Sequence, residues 1–386
     1  MRNYGWSATL LTAALGLASA SCGMPGDESA GVGQSSSALS SDPRLDELQA
    51  HPPHHVHGNA ASAPTGLSPA RIRTVYGLPS AGGTGTIAII DAYDAPTIES
   101  DLAVFSSQFG LPPCTTANGC FEKHMMAGRV ASDSGWALEI SLDVEWAHAV
   151  APNARILLVE AKTNSITNLL AAVDYARSRA DVVAVSMSWG SGEFSTEASY
   201  DARFTSAYGA AFFASSGDNG TGASWPAASP NVVAVGGTTL AFNTDGTLAS
   251  ETAWSGSGGG ISAFQPLPAW QAALGLAYAG RAIPDVSYDA DPASGFSVYD
   301  STRYQGQRGW FRVGGTSAGA PQWAAIQALS LTCSNPHFYQ DAAGPSAASY
   351  FRDITAGTNG ACGAACTATV GYDLVTGVGS PLTTAF

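Results

Sequence analysis

The chain has 386 residues, 16 Lys and Arg against 30 Asp and Glu, and a formal net charge of −14 at pH 7. So acidic a chain excludes a nucleic-acid binder, which needs a basic footprint for phosphates. With 45% apolar and only 12% charged residues, charge-driven disorder is excluded for the bulk of it.

The first 20 residues carry one early positive charge (Arg2), a short apolar core from Ala8 to Leu17 and an Ala18-Ser19-Ala20 close. This layout predicts a secretory signal peptide and a secreted protein. A second reading is a lipoprotein signal to residue 21, with Cys22 acylated and the chain anchored to lipid. Nothing further along reads as about 20 uninterrupted apolar residues, so no transmembrane span is expected. Residues 21–66 are rich in Ser, Gly, Ala and Pro and lack apolar periodicity, which predicts a disordered linker or a short pro-segment. Within them, His51-Pro52-Pro53-His54-His55-Val56-His57 places four His in seven residues. A transition metal is one use for them, but without adjoining Cys or carboxylate ligands the simpler reading is an exposed linker stiffened by proline. Among the cysteines, Cys114/Cys120 and Cys362/Cys366 are close enough to close small loops, which leaves Cys333, on an apolar stretch, as a buried free thiol, with pairing to Cys22 as the alternative if that residue is not acylated.

From Leu67 to the end the pattern predicts one large domain. Apolar, β-branched runs at 86–90, 155–160, 182–188, 210–214 and 232–235 alternate with helical patterns at 97–109, 137–150, 166–179 and 194–207. Such alternation predicts an α/β fold with a mostly parallel central sheet flanked by helices on both faces. Function then gathers at the carboxyl ends of the strands. Three strand exits are polar or Gly-rich: Asp91, the stretch from Ser186 to Gly190, and Ser215 to Gly220.

Gly314-Gly315-Thr316-Ser317-Ala318-Gly319-Ala320-Pro321 precedes an apolar helical segment. Ser317 is thereby placed at a helix N-terminus, where free N–H groups favour a developing anion. The plain alternative is a Gly-rich turn capped by a serine. Gly315-x-Ser317-x-Gly319 also fits the nucleophile elbow of α/β-hydrolases, but that order needs an acid and then a His after the serine. His337 is the only later His, and no Asp or Glu lies between. A better base lies upstream. Glu139 and Asp143 are four residues apart in a helical stretch, about 40° around its axis, with apolar Leu142 and Trp146 beside them. Two such carboxyls repel, and one keeps a proton. His148 is the rival base. It lies nine residues from Glu139, about half a turn out of phase, so one straight helix cannot aim both at Ser317.

Glu139-Ile140-Ser141-Leu142-Asp143, Ser186-Met187-Ser188-Trp189-Gly190, Ser216-Gly217-Asp218-Asn219-Gly220 and Gly314–Pro321 together resemble the sedolisin family of serine-carboxyl peptidases, in family order, over about 67–386. The resemblance implies a subtilisin-like fold and hydrolysis of polypeptide substrates in acid. It implies Ser317 as nucleophile, Glu139 as general base, Asp143 orienting Glu139, and a protonated Asp218 in the oxyanion hole. It places Asp91 where some members extend the carboxyl pair into a network with a Trp, here Trp189. It implies one structural Ca²⁺ held by Asp353, Asp373 and the carbonyls of Ile354, Thr369 and Gly371, hard oxygen donors of the kind calcium takes. A monomer is expected. Two alternatives remain at this point: a subtilisin-type Asp91/His148/Ser317 triad, and a non-catalytic binding protein on the same fold. The family's long folded pro-domain has no counterpart in the roughly 46 residues between signal and domain, a departure that leaves activation open.

Overall fold

In the computed structural model, residues 43–330 and 332–383 are described. The signal peptide and Cys22 lie outside them. The central sheet has eight strands: β1 (Thr86–Ala92), β2 (Phe121–Met125), β3 (Arg155–Ala161), β4 (Val182–Met187), β5 (Ala211–Ser215), β6 (Val233–Phe242), β7 (Leu248–Ala253) and β8 (Val286–Asp289). The order is β7-β6-β5-β4-β1-β3-β2, with β8 also on β6. All pairings are parallel except β7 with β6. The two-residue alternation of a strand sends side chains to opposite faces. Ile87 and Ile89 of β1 accordingly join one apolar core, and Ala88 and Ile90 join another. Helices α1 (Ile98–Phe109), α2 (Ser134–Val150) and α4 (Gly319–Ser330) contribute to the first, and α3 (Ile166–Arg177) to the second. The mostly parallel sheet with helices on both faces is therefore as read from the sequence.

Two readings need correction. The helical pattern at 194–207 is a 3-10 helix over Glu197–Phe204. The Arg177 guanidinium binds the carbonyls of Ala202 and Thr205, drawing the end of this segment into side-chain pairing. Residues 43–66, expected to be disordered, are tied to the domain. Leu45 and Ala50 are buried. His51 bridges Gly190, His55–Val56 pairs with Gly314 and Val313, and Ala61 bridges Trp310. A segment poor in apolar side chains is ordered here because its backbone groups find partners along exposed strand edges. Both short-loop disulfides form, Cys114–Cys120 and Cys362–Cys366, and Cys333 is a buried free thiol. No helix among the described residues is long and apolar enough to cross a membrane.

Candidate active site

Helix α2 carries the carboxyl pair. Asp133 caps it by accepting from the N–H groups of Gly135 and Trp136, and every residue from Trp136 to Val150 is buried. A helix apolar on all sides belongs inside a core, so Glu139 and Asp143 are drawn out of water by their neighbours. Asp91, at the carboxyl end of β1, is buried with them. Burial pushes up the pKa of all three, Glu139 to about 8 and Asp143 and Asp91 well above the usual range. Two contacts work against burial at Glu139: the Ser317 hydroxyl and the Asp143 carboxyl both stabilise its charge, whereas Glu139 raises Asp143 further. The pair therefore ionises at Glu139 first, with Asp143 holding the proton.

Ser317 sits in a 3-10 turn, Thr316–Ala318, that leads into α4. Its Oγ, Glu139 Oε1 and both Asp143 oxygens are buried without a formed hydrogen bond; such contacts are often long before substrate arrives. Asp218 follows β5 and reaches Thr316, the residue before the serine. Its Oδ1 accepts from the Thr316 N–H and hydroxyl, each at 2.8 Å. Burial raises its pKa against these bonds. Gly315, at φ 123°, makes room for this arrangement. A Cβ there would lie 2.1 Å from the Pro53 carbonyl oxygen and 2.6 Å from Asp218 Oδ2. The structure thus brings Ser317, Glu139, Asp143, Asp91 and Asp218 together at the strand ends.

Other expected residues lie differently. His148 is buried with Nε2 2.9 Å from the Pro112 carbonyl, beside the Cys114–Cys120 disulfide. The helical phase that aims Glu139 at Ser317 turns His148 the other way, so the Asp91/His148/Ser317 triad is not assembled. Trp189 is fully buried, and its indole N–H donates to the Ile90 carbonyl at 2.9 Å rather than to Asp91. It props β1 against the exit of β4 and does not line a subsite. In the C-terminal loops, Gly371 N–H donates to Asp353 Oδ2 at 2.9 Å, and the Asp373 carboxylate accepts from the N–H groups of Thr369, Val375 and Thr376. Both carboxylates thus accept from backbone N–H groups of the loop over 369–376.

The sequence reading missed two residues at this site. His54 Nδ1 lies 2.6 Å from Glu139 Oε2, and His55 Nε2 lies 3.3 Å from Asp218 Oδ2. Four His in seven residues was the available signal.

The fold and this cluster define the chain's class: residues 124–356 match the Subtilase family, and the chain belongs to it. Within that class its relatives are sedolisins, as the motifs implied. Sedolisin of Pseudomonas sp. (strain 101) is 29% identical over 369 residues, covering 83% of this chain and 60% of that protein. Kumamolisin of Bacillus sp. (strain MN-32) is 31% identical over 369 residues, covering 83% and 63%. The chain thus spans about 60% of the length of these two relatives. Among solved structures, Pseudomonas sedolisin (serine-carboxyl proteinase) complexed with two molecules of pseudo-iodotyrostatin superposes with a TM-score of 0.69 at 29% identity, covering 84% of this chain and 96% of that one. An S41 psychrophilic protease, at TM-score 0.53 and 20% identity, shares the fold.

Proposed function

We propose that the chain is an exported serine-carboxyl endopeptidase that hydrolyses polypeptides in acid. The observation that carries this reading is the meeting of Ser317 with a buried Glu139–Asp143 pair, with Asp218 bound to the adjoining Thr316. Glu139 takes the Ser317 proton as Oγ bonds to the substrate carbonyl carbon. Asp143, holding the proton of the pair, steadies the charge lost and regained at Glu139. The resulting oxyanion lies between the Ser317 N–H and a protonated Asp218, since an ionised carboxylate there would repel it. Glu139 then returns its proton to the leaving amine, and water releases the acyl group by the reverse sequence. The base must be ionised and Asp218 neutral; work in acid therefore requires that the Glu139 pKa, raised to about 8 by burial in the resting site, falls as the Ser317 hydrogen bond tightens on substrate, and activity is then lost at low pH as Glu139 is protonated and at high pH as Asp218 ionises.

A calcium ion held by Asp353, Asp373 and the carbonyls of Ile354, Thr369 and Gly371 would neutralise the paired carboxylates and fasten the C-terminal loops. Export rests on the N-terminal signal, with Cys22 as the anchoring alternative. The test is a digest of denatured casein from pH 3 to 8 by the chain and by Ser317→Ala. Acid-limited cleavage lost in the variant is the expected result. No Ser317-dependent cleavage at any pH would favour a binding protein on this fold.

A further inference from the structure

The last turn of α2 holds a cluster that the peptidase chemistry does not use. The Sγ atoms of Cys114 and Cys120 and a ring nitrogen of His148 all lie within 4.8 Å of one another. Among the described residues, no other three Cys, His, Asp or Glu side chains bring their ligand atoms so close. Cys114 and His148 are buried. His148 Nε2 sits 2.9 Å from the Pro112 carbonyl, which can only accept, so this nitrogen carries the hydrogen. Nδ1 is buried with no partner. Burial disfavours the imidazolium, and Nδ1 of the neutral ring presents a bare lone pair. An imidazole with its N–H on a backbone carbonyl and its other nitrogen free is the form in which histidine takes a metal. We propose that Cys114, Cys120 and His148 form a site for Zn²⁺ or a divalent cation of its kind, open when the chain is reduced and closed by the Cys114–Cys120 disulfide when it is oxidised.

The donor set selects the cation. Two thiolates and an imidazole suit Zn²⁺, not a hard ion such as Ca²⁺. A tetrahedron with metal–sulfur bonds of about 2.3 Å spaces its corners roughly 3.8 Å apart, a spacing that side-chain rotation reaches from this cluster. Three protein ligands leave a fourth position to water. The loop also has supports besides the disulfide. Asn118 Oδ1 accepts from the Thr115 and Cys120 N–H groups at 3.1 and 3.0 Å, and its amide donates to the Pro113 carbonyl at 2.8 Å. The Thr116 N–H is tied to Glu99 at 2.8 Å, and the Cys120 carbonyl accepts from the Ile156 N–H at 2.7 Å. Both sulfurs therefore stay beside His148 when the bond between them breaks. That step takes two electrons and two protons from an external dithiol, which leaves as its own disulfide. The cation then displaces the two thiol protons and takes both thiolates and the Nδ1 lone pair. A reducing compartment favours the metal, and an oxidising one the disulfide.

Cobalt(II), added alone, is the probe. Full-length Ser317→Ala, which cannot digest itself, is reduced with dithiothreitol, freed of it without air, and titrated with Co²⁺. Thiolate-to-cobalt charge-transfer absorption with the visible bands of tetrahedral cobalt is the expected result. Histidine-only binding elsewhere, as by the run at 51–57, gives no such charge-transfer band. Adding Cys362→Ser/Cys366→Ser should leave the spectrum unchanged, and adding Cys114→Ser/Cys120→Ser should remove the charge-transfer band. Adding His148→Ala should weaken cobalt binding by about tenfold or more, since even the outer partner of a metal ligand is worth that much. Reoxidation should expel the cobalt. A second measurement needs no cysteine variant: in the reduced parent, cobalt should shield Cys114 and Cys120 from iodoacetamide and leave Cys362 and Cys366 open. No charge-transfer band in the reduced parent, folded or not, overturns the proposal. So does a band that survives Cys114→Ser/Cys120→Ser, or equal shielding of the two cysteine pairs. Unchanged affinity in His148→Ala also overturns it, by leaving the imidazole a packing group.

Discussion

Two stretches of α2 make the comparison that decides the chemistry. Around its middle, Glu139 and Asp143 meet Ser317 and Asp91 at the strand ends. Near its C-terminus, His148 spends its Nε2 on the Pro112 carbonyl. Both stretches are buried, so burial alone does not make a site. Helical phase does: four residues keep two carboxyls on one face, and nine residues turn an imidazole to the other. The two stretches also differ in completion. Glu139 Oε1 and both Asp143 oxygens are buried without a hydrogen bond, which is costly unless the groups serve a reaction; His148 Nδ1 is unpartnered too, but its Nε2 has a fixed partner in the Pro112 carbonyl.

This contrast breaks most sharply at the nucleophile and base. Ser317→Ala and Glu139→Gln should each lower kcat by about 10⁴-fold or more, with thermal melting little changed, because the triad acts as a unit. Asp218→Ala should lower kcat by about 10²–10³-fold. Asp218→Asn should keep more activity and flatten the alkaline limb of the pH profile, since an amide donates without ionising. Removal of divalent metal by EDTA should lower the melting temperature, with restoration by Ca²⁺ and not by Mg²⁺, whose geometry suits these loops less well. Smallest of all, His148→Ala should change kcat/KM by less than tenfold and cost about 1–3 kcal/mol of stability through the orphaned Pro112 carbonyl, read from denaturant melts.

Much of this was legible in residue patterns, for identifiable reasons. Parallel strands buried on both faces leave continuous apolar runs, so β1, β3, β4 and β5 stand out, and their exits point to Asp91 and Asp218. The i, i+4 spacing of Glu139 and Asp143 encodes their shared face. The order of residues 49–57 was not legible, because it comes from backbone pairing with Gly190 and Gly314, which leaves no apolar periodicity behind. His54 and His55 looked like solvated linker residues for the same reason. Trp189 was read as part of a carboxyl network, but sequence gives no direction to an indole N–H; the structure turns it to the Ile90 carbonyl.

The most direct test of a carboxylate base is to strip the imidazoles from around the site and keep the carboxyls. His54→Ala/His55→Ala/His148→Ala, verified as folded by its melting curve, should retain kcat/KM in acid within about tenfold of the parent, with Glu139 and Ser317 in place. A fall of about 10³-fold or more in that folded variant would mean that a histidine, not Glu139, takes the serine's proton.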